Sequence, residues 1–255
     1  MSDFTDQVVL ITGGNSGIGQ AAAMQFAAAG AKVVIAARNT AASQSVVTEI
    51  QMLGGEAHAV ACDVTKSADC DAAVEACLNR YGGLDVLFNN AGIIFREKSA
   101  LDTTDEQWEQ TMAVNTTGTF LMSRAAVAVM VARGGGVIVN NASYFGLVGG
   151  RGAAAYSASK GAVVLLTKAM ALDHAREGVR INCICAGSVD TPMLRSEMEE
   201  MGGADAVRHL FEEKHPLGRI ASPEEIAQTV LFLASAEAGF ITGAAIPVDG
   251  GITAG

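Results

Sequence analysis

Tyr156 and Lys160 stand four residues apart in the segment AAAYSASKGA, whose other side chains are all small. Residues four apart on a helix share one face, and small neighbours let a ligand approach that face closely. A phenol has a pKa of about 10, so only about one in a thousand is ionised at pH 7. Lowering that pKa by about three units takes roughly 4 kcal/mol of preferential stabilisation of the phenolate. A nearby ammonium has the right sign for this, so the pair is a candidate for acid–base chemistry.

A Tyr-x-x-x-Lys pair by itself is more often a solvated helix face, and a second motif is needed to support the chemistry. The loop TGGNSGIG, Thr12 to Gly19, follows the apolar run QVVLIT and precedes an alanine-rich stretch. Glycines let the backbone turn tightly, and the N-terminus of the following helix directs N–H groups at a pyrophosphate. Because a strand precedes the loop and a helix and second strand follow it, the sequence predicts dinucleotide binding.

The elements that would position these motifs alternate between short apolar runs and stretches of helical period. The expected helices lie near 17–29, 40–53, 66–81, 103–133, 153–177 and 222–236. Several expected strands are continuously apolar, which suits a parallel sheet covered on both faces. The pattern predicts an α/β fold, a single Rossmann-like doubly wound parallel sheet of about seven strands, with residues 1–255 forming one domain. Residues 188–216 break the rhythm and are expected to be a substrate-binding lid, the alternative being a surface helical hairpin.

Composition excludes several classes of function. The 17 basic and 27 acidic residues give a net charge of −10, so a nucleic-acid-binding surface is not expected. No uninterrupted apolar run reaches the roughly 18 residues of a membrane span, and the acidic N-terminus lacks the basic start of a signal peptide. The chain is therefore expected to be cytoplasmic, with a small-molecule substrate and no membrane partner. Neither the five cysteines nor the four histidines have ligand spacing, so no metal site is predicted.

The spacing Gly13-x-x-x-Gly17-x-Gly19 resembles the TGxxxGxG pattern of the short-chain dehydrogenase/reductase family. Further motifs resemble the same family in order: NNAG at 89–92, Asn115 in MAVNTTGTF, Ser143 after the fifth strand, YSASK at 156–160, and the C-terminal ITGAAIPVDGG. The resemblance covers essentially the whole chain. It implies an oxidoreductase that transfers a hydride between a nicotinamide cofactor and a ketone or secondary alcohol, assembled as a homotetramer.

The resemblance also implies a role for each residue of the catalytic set. Tyr156 would be the general acid in reduction and the general base in oxidation, while Lys160 would lower its pKa and hold the nicotinamide ribose. Ser143 would donate a hydrogen bond to the substrate oxygen, and Asn115 would bind a water that joins Lys160 to solvent. Two alternatives stay open: a non-catalytic NADP(H)-binding sensor, and a lyase or epimerase on the same fold.

The second strand ends at Ala37 and is followed by Arg38, where a carboxylate would favour NAD(H). A guanidinium there can pair with a 2′-phosphate, so NADP(H) is predicted, with NAD(H) possible. Ala186 replaces the proline that usually precedes the glycine of this family's loop after the sixth strand. The expected cofactor-binding residues are Gly13, Asn15, Ser16, Gly17, Ile18, Gly19, Arg38, Asp63, Val64, Asn89, Ala91, Gly92, Tyr156, Lys160, Gly187, Val189 and Thr191.

The substrate pocket is expected to be apolar, which favours a hydrophobic ketone or secondary alcohol without choosing one. Arg96 and Arg151 could receive a carboxylate, although solvated positions are the expectation for both. The expected substrate-binding residues are Ser143, Phe95, Phe145 and Met193, with Ile94, Tyr144, Val148, Leu194 and Met198 near them.

Overall fold

The computed structural model describes residues 3–96 and 98–255, and over them seven strands form one parallel sheet in the order β3-β2-β1-β4-β5-β6-β7. The strands are β1 (Val8–Thr12), β2 (Lys32–Ala37), β3 (Glu56–Ala61), β4 (Val86–Asn89), β5 (Gly136–Asn141), β6 (Val179–Ala186) and β7 (Ala245–Val248). The strand order reverses between β1 and β4, so their carboxyl ends open a crevice. The predicted doubly wound parallel sheet is confirmed.

Helices cover both faces of the sheet, as continuously apolar strands require. In β1, Val9 and Ile11 pack with Phe26 on one face, whereas Val8 and Leu10 belong to the core on the other face. Successive side chains of a strand point to opposite faces, so a strand buried on both sides must be apolar at every position. The helices are α1 (Gly17–Ala28), α2 (Thr40–Met52), α3 (Ser67–Tyr81), α4 (Asp105–Met112), α5 (Gly118–Ala132), α6 (Ala154–His174), α7 (Pro192–Glu200), α8 (Ala204–Glu212) and α9 (Pro223–Ala234).

The single helix expected over 103–133 is wrong in one respect, because a π-helical segment, Ala113–Thr117, separates α4 from α5. Asn115 lies in the middle of this widened turn and is fully buried. Its amide accepts from the Ile93 backbone N–H at 2.8 Å and donates to the Ile93 carbonyl at 2.9 Å. These contacts come from a distant loop, so the hydrophobic period of the helix carries no sign of them.

The segment 188–216 contains α7 and α8, joined through Gly202 and Gly203, whose φ angles are 122° and 110°. Such angles favour glycine because other residues pay a steric cost there. Apolar side chains of the two helices pack on each other and on Ile220. The segment is thus a helical hairpin with its own small core.

Two further findings concern the parts of the chain that the structure describes, 3–96 and 98–255. Every helix in them is too short or too polar to cross a lipid bilayer. No group of three or more His, Cys, Asp or Glu side chains in them is arranged to hold a metal ion.

Candidate active site

A cavity of about 700 Å³ opens at the carboxyl ends of the central strands, where the strand order reverses. The glycine-rich loop and Arg38 bound one end of it, and Ser143, Tyr156 and α7 bound the other. The site residues expected from the sequence that line it are Gly13, Asn15, Ser16, Gly17, Ile18, Arg38, Asp63, Val64, Ala91, Gly92, Ser143, Tyr156, Lys160, Gly187, Val189, Thr191 and Met193. Gly19, Asn89, Phe95, Asn115 and Phe145 are not part of the lining.

The glycine-rich loop is shaped by positive backbone angles and by contact with the next loop. Gly13 and Gly17 have φ angles of 63° and 52°. A Cβ on Gly19 would lie 2.3 Å from the Gly13 carbonyl oxygen, so Gly19 allows α1 to begin directly against this loop. The Asn90 amide donates to that same carbonyl at 3.0 Å. The first turn of α1 therefore faces the cavity, where its N–H groups suit an anion.

Of the two adjacent asparagines in NNAG, the structure places Asn90 in the cavity wall and Asn89 behind it. Asn89 is buried, and its amide donates to Ser123 Oγ at 2.8 Å and to Asn140 Oδ1 at 2.9 Å. Asn89, one of the expected cofactor-binding residues, therefore lies outside the cavity wall. Alternation along the end of β4 is the signal that separates them, because it turns one side chain into the core.

At the end of the cavity away from Tyr156, Arg38 follows β2 and is exposed. It lies near Asp63, one of the expected cofactor-binding residues. Hydrogen bonds from Thr65 are the main cause that holds the pKa of Asp63 below its usual value, and the positive charge of Arg38 acts in the same direction. This end of the cavity therefore carries an exposed guanidinium near a hydrogen-bonded carboxylate.

At the opposite end, α6 places Tyr156 in its first turn and Lys160 one turn later. The Lys160 ammonium is buried, donates to the Asn141 carbonyl at 2.6 Å and lies 5.6 Å from the centre of the Tyr156 ring. Ser143 follows β5, and its hydroxyl accepts from the Phe145 N–H at 3.2 Å. The structure thus brings Ser143, Tyr156 and Lys160 to one wall.

Burial changes the pKa of both titratable groups on this wall. It lowers the pKa of Lys160 to about 8 and raises the pKa of Tyr156 above the ordinary value of a phenol. The positive charge of Arg96 and the neighbouring Ser143 hydroxyl lower the pKa of Tyr156, but desolvation outweighs them. The sequence predicts that Lys160 lowers the pKa of Tyr156, whereas burial in the folded protein raises it.

Asn115 lies behind this wall rather than in it. Besides its two bonds to Ile93, its amide donates to Ser159 Oγ at 3.0 Å. A Cβ on Gly92 would lie 3.3 Å from Asn115 Oδ1 and 3.5 Å from Lys160 Nζ, so only a very small residue fits between them. Asn115 therefore ties the loop after β4 to α6 and fixes the distance between that loop and Lys160.

The substrate end of the cavity is less apolar than expected. Phe145 lies behind it, with its ring 6.3 Å from that of Tyr156 in an edge-on arrangement. Glu197 of α7 also lines the cavity, although no sequence motif pointed to it. Its Oε2 lies 2.9 Å from Nε of Arg96. The solvated position expected for Arg96 is wrong, since its side chain is 25% exposed, whereas Arg151 is exposed as expected.

A family model described as enoyl-(acyl carrier protein) reductase matches residues 13–253. The cyclohexanol dehydrogenase of Acinetobacter sp. (strain SE19) is 41% identical over 250 residues, which are 98% of this chain and 96% of that protein. The chain belongs to the short-chain dehydrogenase/reductase family. As a member of it, the protein is an NAD(P)-dependent oxidoreductase acting on CH–OH or C=O groups.

Two other relatives are similar over nearly the whole length. The meso-2,3-butanediol dehydrogenase of Serratia marcescens is 43% identical over 251 residues, covering 98% of this chain and 96% of that one. The crystal structure of 3-ketoacyl-(acyl-carrier-protein) reductase from Brucella melitensis complexed with NADH superimposes with a TM-score of 0.90 at 37% identity, covering 98% of this chain and 100% of that one. A nicotinamide cofactor is therefore the cofactor of this short-chain dehydrogenase/reductase.

Proposed function

We propose that the protein transfers a hydride between NADP(H) and a ketone or secondary alcohol, with Tyr156 exchanging the proton of the substrate oxygen. The observation that carries this proposal is the convergence of Ser143, Tyr156 and Lys160 on one end of a cavity whose other end is the glycine-rich loop. A dinucleotide reaches from one end of such a crevice to the other. The relatives described above, which are named for a cyclic alcohol and for a diol, support a secondary alcohol as the reacting group.

The nicotinamide supplies or accepts the hydride, and the side chains handle the oxygen and its proton. In reduction the Tyr156 hydroxyl donates its proton to the substrate oxygen, and in oxidation the phenolate takes that proton back. The Ser143 hydroxyl, held by its bond from Phe145 N–H, has its own hydrogen left to donate to the same oxygen. With a pKa of about 8, Lys160 is largely protonated at pH 7 and favours the phenolate.

Burial raises the pKa of Tyr156, so the oxidation direction needs positive charge close to its hydroxyl. The Lys160 ammonium is one such charge, and the oxidised nicotinamide ring is a second. Both positive charges stabilise the phenolate most strongly in a low-dielectric crevice, and the same low dielectric raises the pKa of Tyr156. Oxidation is therefore expected to be faster at alkaline pH, up to the point at which Lys160 loses its proton.

The choice of NADP(H) over NAD(H) rests on Arg38. The strand β2 ends at Ala37, and Arg38 follows it. The position at which a carboxylate would accept the ribose 2′-hydroxyl therefore carries no carboxylate. Arg38 is exposed and lines the cavity, so it can turn towards a 2′-phosphate without being pulled from a buried pair. The proposal also includes Asn115, as the residue that binds a water joining Lys160 to solvent.

The expected lid, assembly and location complete the proposal. The α7–α8 hairpin contributes Met193 and Leu194 to the cavity wall and would close over the substrate. Leu165 and Leu172, seven residues apart on α6, are 67% and 84% exposed, and Phe120 of α5 is 40% exposed. Large apolar side chains on two long helices favour burial between subunits, which supports an oligomer. The proposal is a single domain that assembles as a homotetramer in the cytoplasm.

Tyr156→Phe tests the proposal directly, because it removes the hydroxyl and keeps the ring. We expect kcat for cyclohexanol oxidation with NADP⁺ to fall at least about 100-fold, as for loss of a general acid-base group. NADPH binding, followed by its fluorescence, should change little. Tyr81→Phe, on α3 and outside the cavity lining, is the matched control and should keep full activity. Near-normal turnover in Tyr156→Phe would sink the assignment.

A further inference from the structure

The pair formed by Arg96 and Glu197 lies at the substrate end of the cavity, which Met193, Leu194 and Tyr144 also line. The two charges come from different parts of the fold, the segment after β4 and helix α7, and meet at 2.9 Å. The Glu197 side chain is 10% exposed. Burying two charges costs several kcal/mol in desolvation, which their mutual attraction only partly offsets. A purely structural role is better filled by apolar side chains, so the pair calls for a functional reason.

The position of the pair links it to the reacting oxygen. The Arg96 guanidinium lies 5.3 Å from the centre of the Phe145 ring, and that ring lies 6.3 Å from the ring of Tyr156. The charges of Arg96 and Glu197 both act on the Tyr156 phenol and, on the same wall, on Tyr144. Arg96, Glu197 and Tyr156 line one cavity, so the far side of a substrate with one oxygen at Tyr156 can reach the pair.

The charge of the pair restricts what that far side can be. An anionic group would be attracted by Arg96 and repelled by Glu197, and a cationic group would meet the reverse. A neutral group that both donates and accepts a hydrogen bond interacts well with each member. A guanidinium has five N–H donors and a carboxylate about four acceptor sites, so a hydroxyl can bind to both without separating them.

We propose that Arg96 and Glu197 bind a second hydroxyl of the substrate, so that the protein acts on diols and hydroxy ketones in preference to matched mono-alcohols. The inference rests on the proposed function and names its substrate class. In oxidation, one CH–OH group loses a hydride from carbon to the nicotinamide and a proton from oxygen to Tyr156. The second hydroxyl donates to Glu197, accepts from Arg96 and is unchanged at the end.

The test compares kcat/KM for two matched pairs of alcohols with NADP⁺: 2,3-butanediol with 2-butanol, and cyclohexane-1,2-diol with cyclohexanol. Hydrogen bonds to charged groups discriminate strongly against a ligand that lacks the partner, so we expect a diol preference of at least about tenfold. Glu197→Gln and Arg96→Met should each reduce this ratio towards one, mainly by raising KM for the diol. Glu200→Gln, an exposed change on the same helix, should keep the ratio.

The possible results distinguish binding of the second hydroxyl by Arg96 and Glu197 from the hydride transfer itself. Turnover of all four alcohols without a diol preference, or a preference that both variants retain, would overturn the inference and leave the proposed function intact. Preference for a hydroxy acid such as 3-hydroxybutanoate over both neutral classes would also overturn it. Absence of turnover for every alcohol would contradict the proposed function instead. Equilibrium binding to the NADP⁺-loaded Tyr156→Phe enzyme then decides the inference, since equal affinity for diol and mono-alcohol would refute it.

Discussion

Lys160 carries an ammonium that is 4% exposed, and burial lowers its pKa from 10.5 to about 8. This difference means that the charged form is disfavoured in the folded protein by about 3 kcal/mol, at 1.36 kcal/mol per unit of pKa. Lys160→Met removes that penalty while keeping most of the side-chain volume. It also leaves the Asn141 carbonyl without its 2.6 Å donor, which costs about 1–3 kcal/mol. At pH 7 the variant is therefore expected to be as stable as the parent or up to about 2 kcal/mol more stable.

The pH dependence is the sharper part of this prediction. Below pH 8, Lys160 is protonated in both states and the full penalty is present. Between pH 8 and 10.5, the unfolded chain binds more protons at this site than the folded protein, so raising the pH stabilises the folded parent. Integrating between pH 7 and 9.5 gives the parent a gain of about 2 kcal/mol relative to Lys160→Met.

Urea unfolding at fixed protein concentration and without cofactor, at pH 7 and at pH 9.5, measures this change in the free energy of unfolding. Lys168→Met is the matched control for the loss of one lysine side chain, because Lys168 is exposed on the same helix. A difference between parent and Lys160→Met that stays constant from pH 7 to 9.5 would refute the reasoning. It would mean that Lys160 is charged as readily inside the protein as in water.

Two other changes test the cofactor end of the cavity and the packing around β6. Arg38→Asp should lower the ratio of kcat/KM for NADPH to that for NADH by at least about 100-fold. The reason is that a carboxylate repels the 2′-phosphate and accepts a hydrogen bond from a ribose hydroxyl. A parent enzyme that already prefers NADH would contradict this role of Arg38. Arg180, on β6, donates to the carbonyls of Leu233, Ser235 and Ile241 at 2.9–3.3 Å. Arg180→Met should lower the free energy of unfolding, measured in urea, by about 2–4 kcal/mol, since several half-buried carbonyls lose a charged donor. A loss under about 0.5 kcal/mol would show that water replaces the guanidinium.

The fold was readable from the sequence because its main signals are local. The strand β1 is apolar at every position, and only a strand covered on both faces needs that pattern. The loop after it combines glycines with a strand before and a helix after, which few other folds require. Some helices have ends that are set by their own residues. One is α9, which has a Ser222 capping box and a first-turn proline and begins within a residue of the expected position.

Features that depend on contacts across the chain were missed. The π-helical turn at Asn115 is held by the backbone of Ile93, and the sequence shows only a continuous helical period there. The choice between Asn89 and Asn90 depended on which side of β4 faces the core. The π-helical turn and the orientation of Asn89 both depend on contacts with residues 20 or more positions away. Hydrophobic periodicity describes only neighbouring residues in the chain, so it cannot predict such contacts.

The sequence by itself determined the order of strands and helices along the chain, the glycine-rich loop and the four-residue spacing of Tyr156 and Lys160, because spacing and side-chain chemistry are properties of short segments. Tertiary structure alone decided the sign of the Tyr156 pKa shift, since that sign is set by how much solvent the packed chain removes. It alone also brought Arg96 against Glu197, about a hundred residues away in the chain. An interaction between charges depends on distance and local dielectric, and both exist only once the chain has folded.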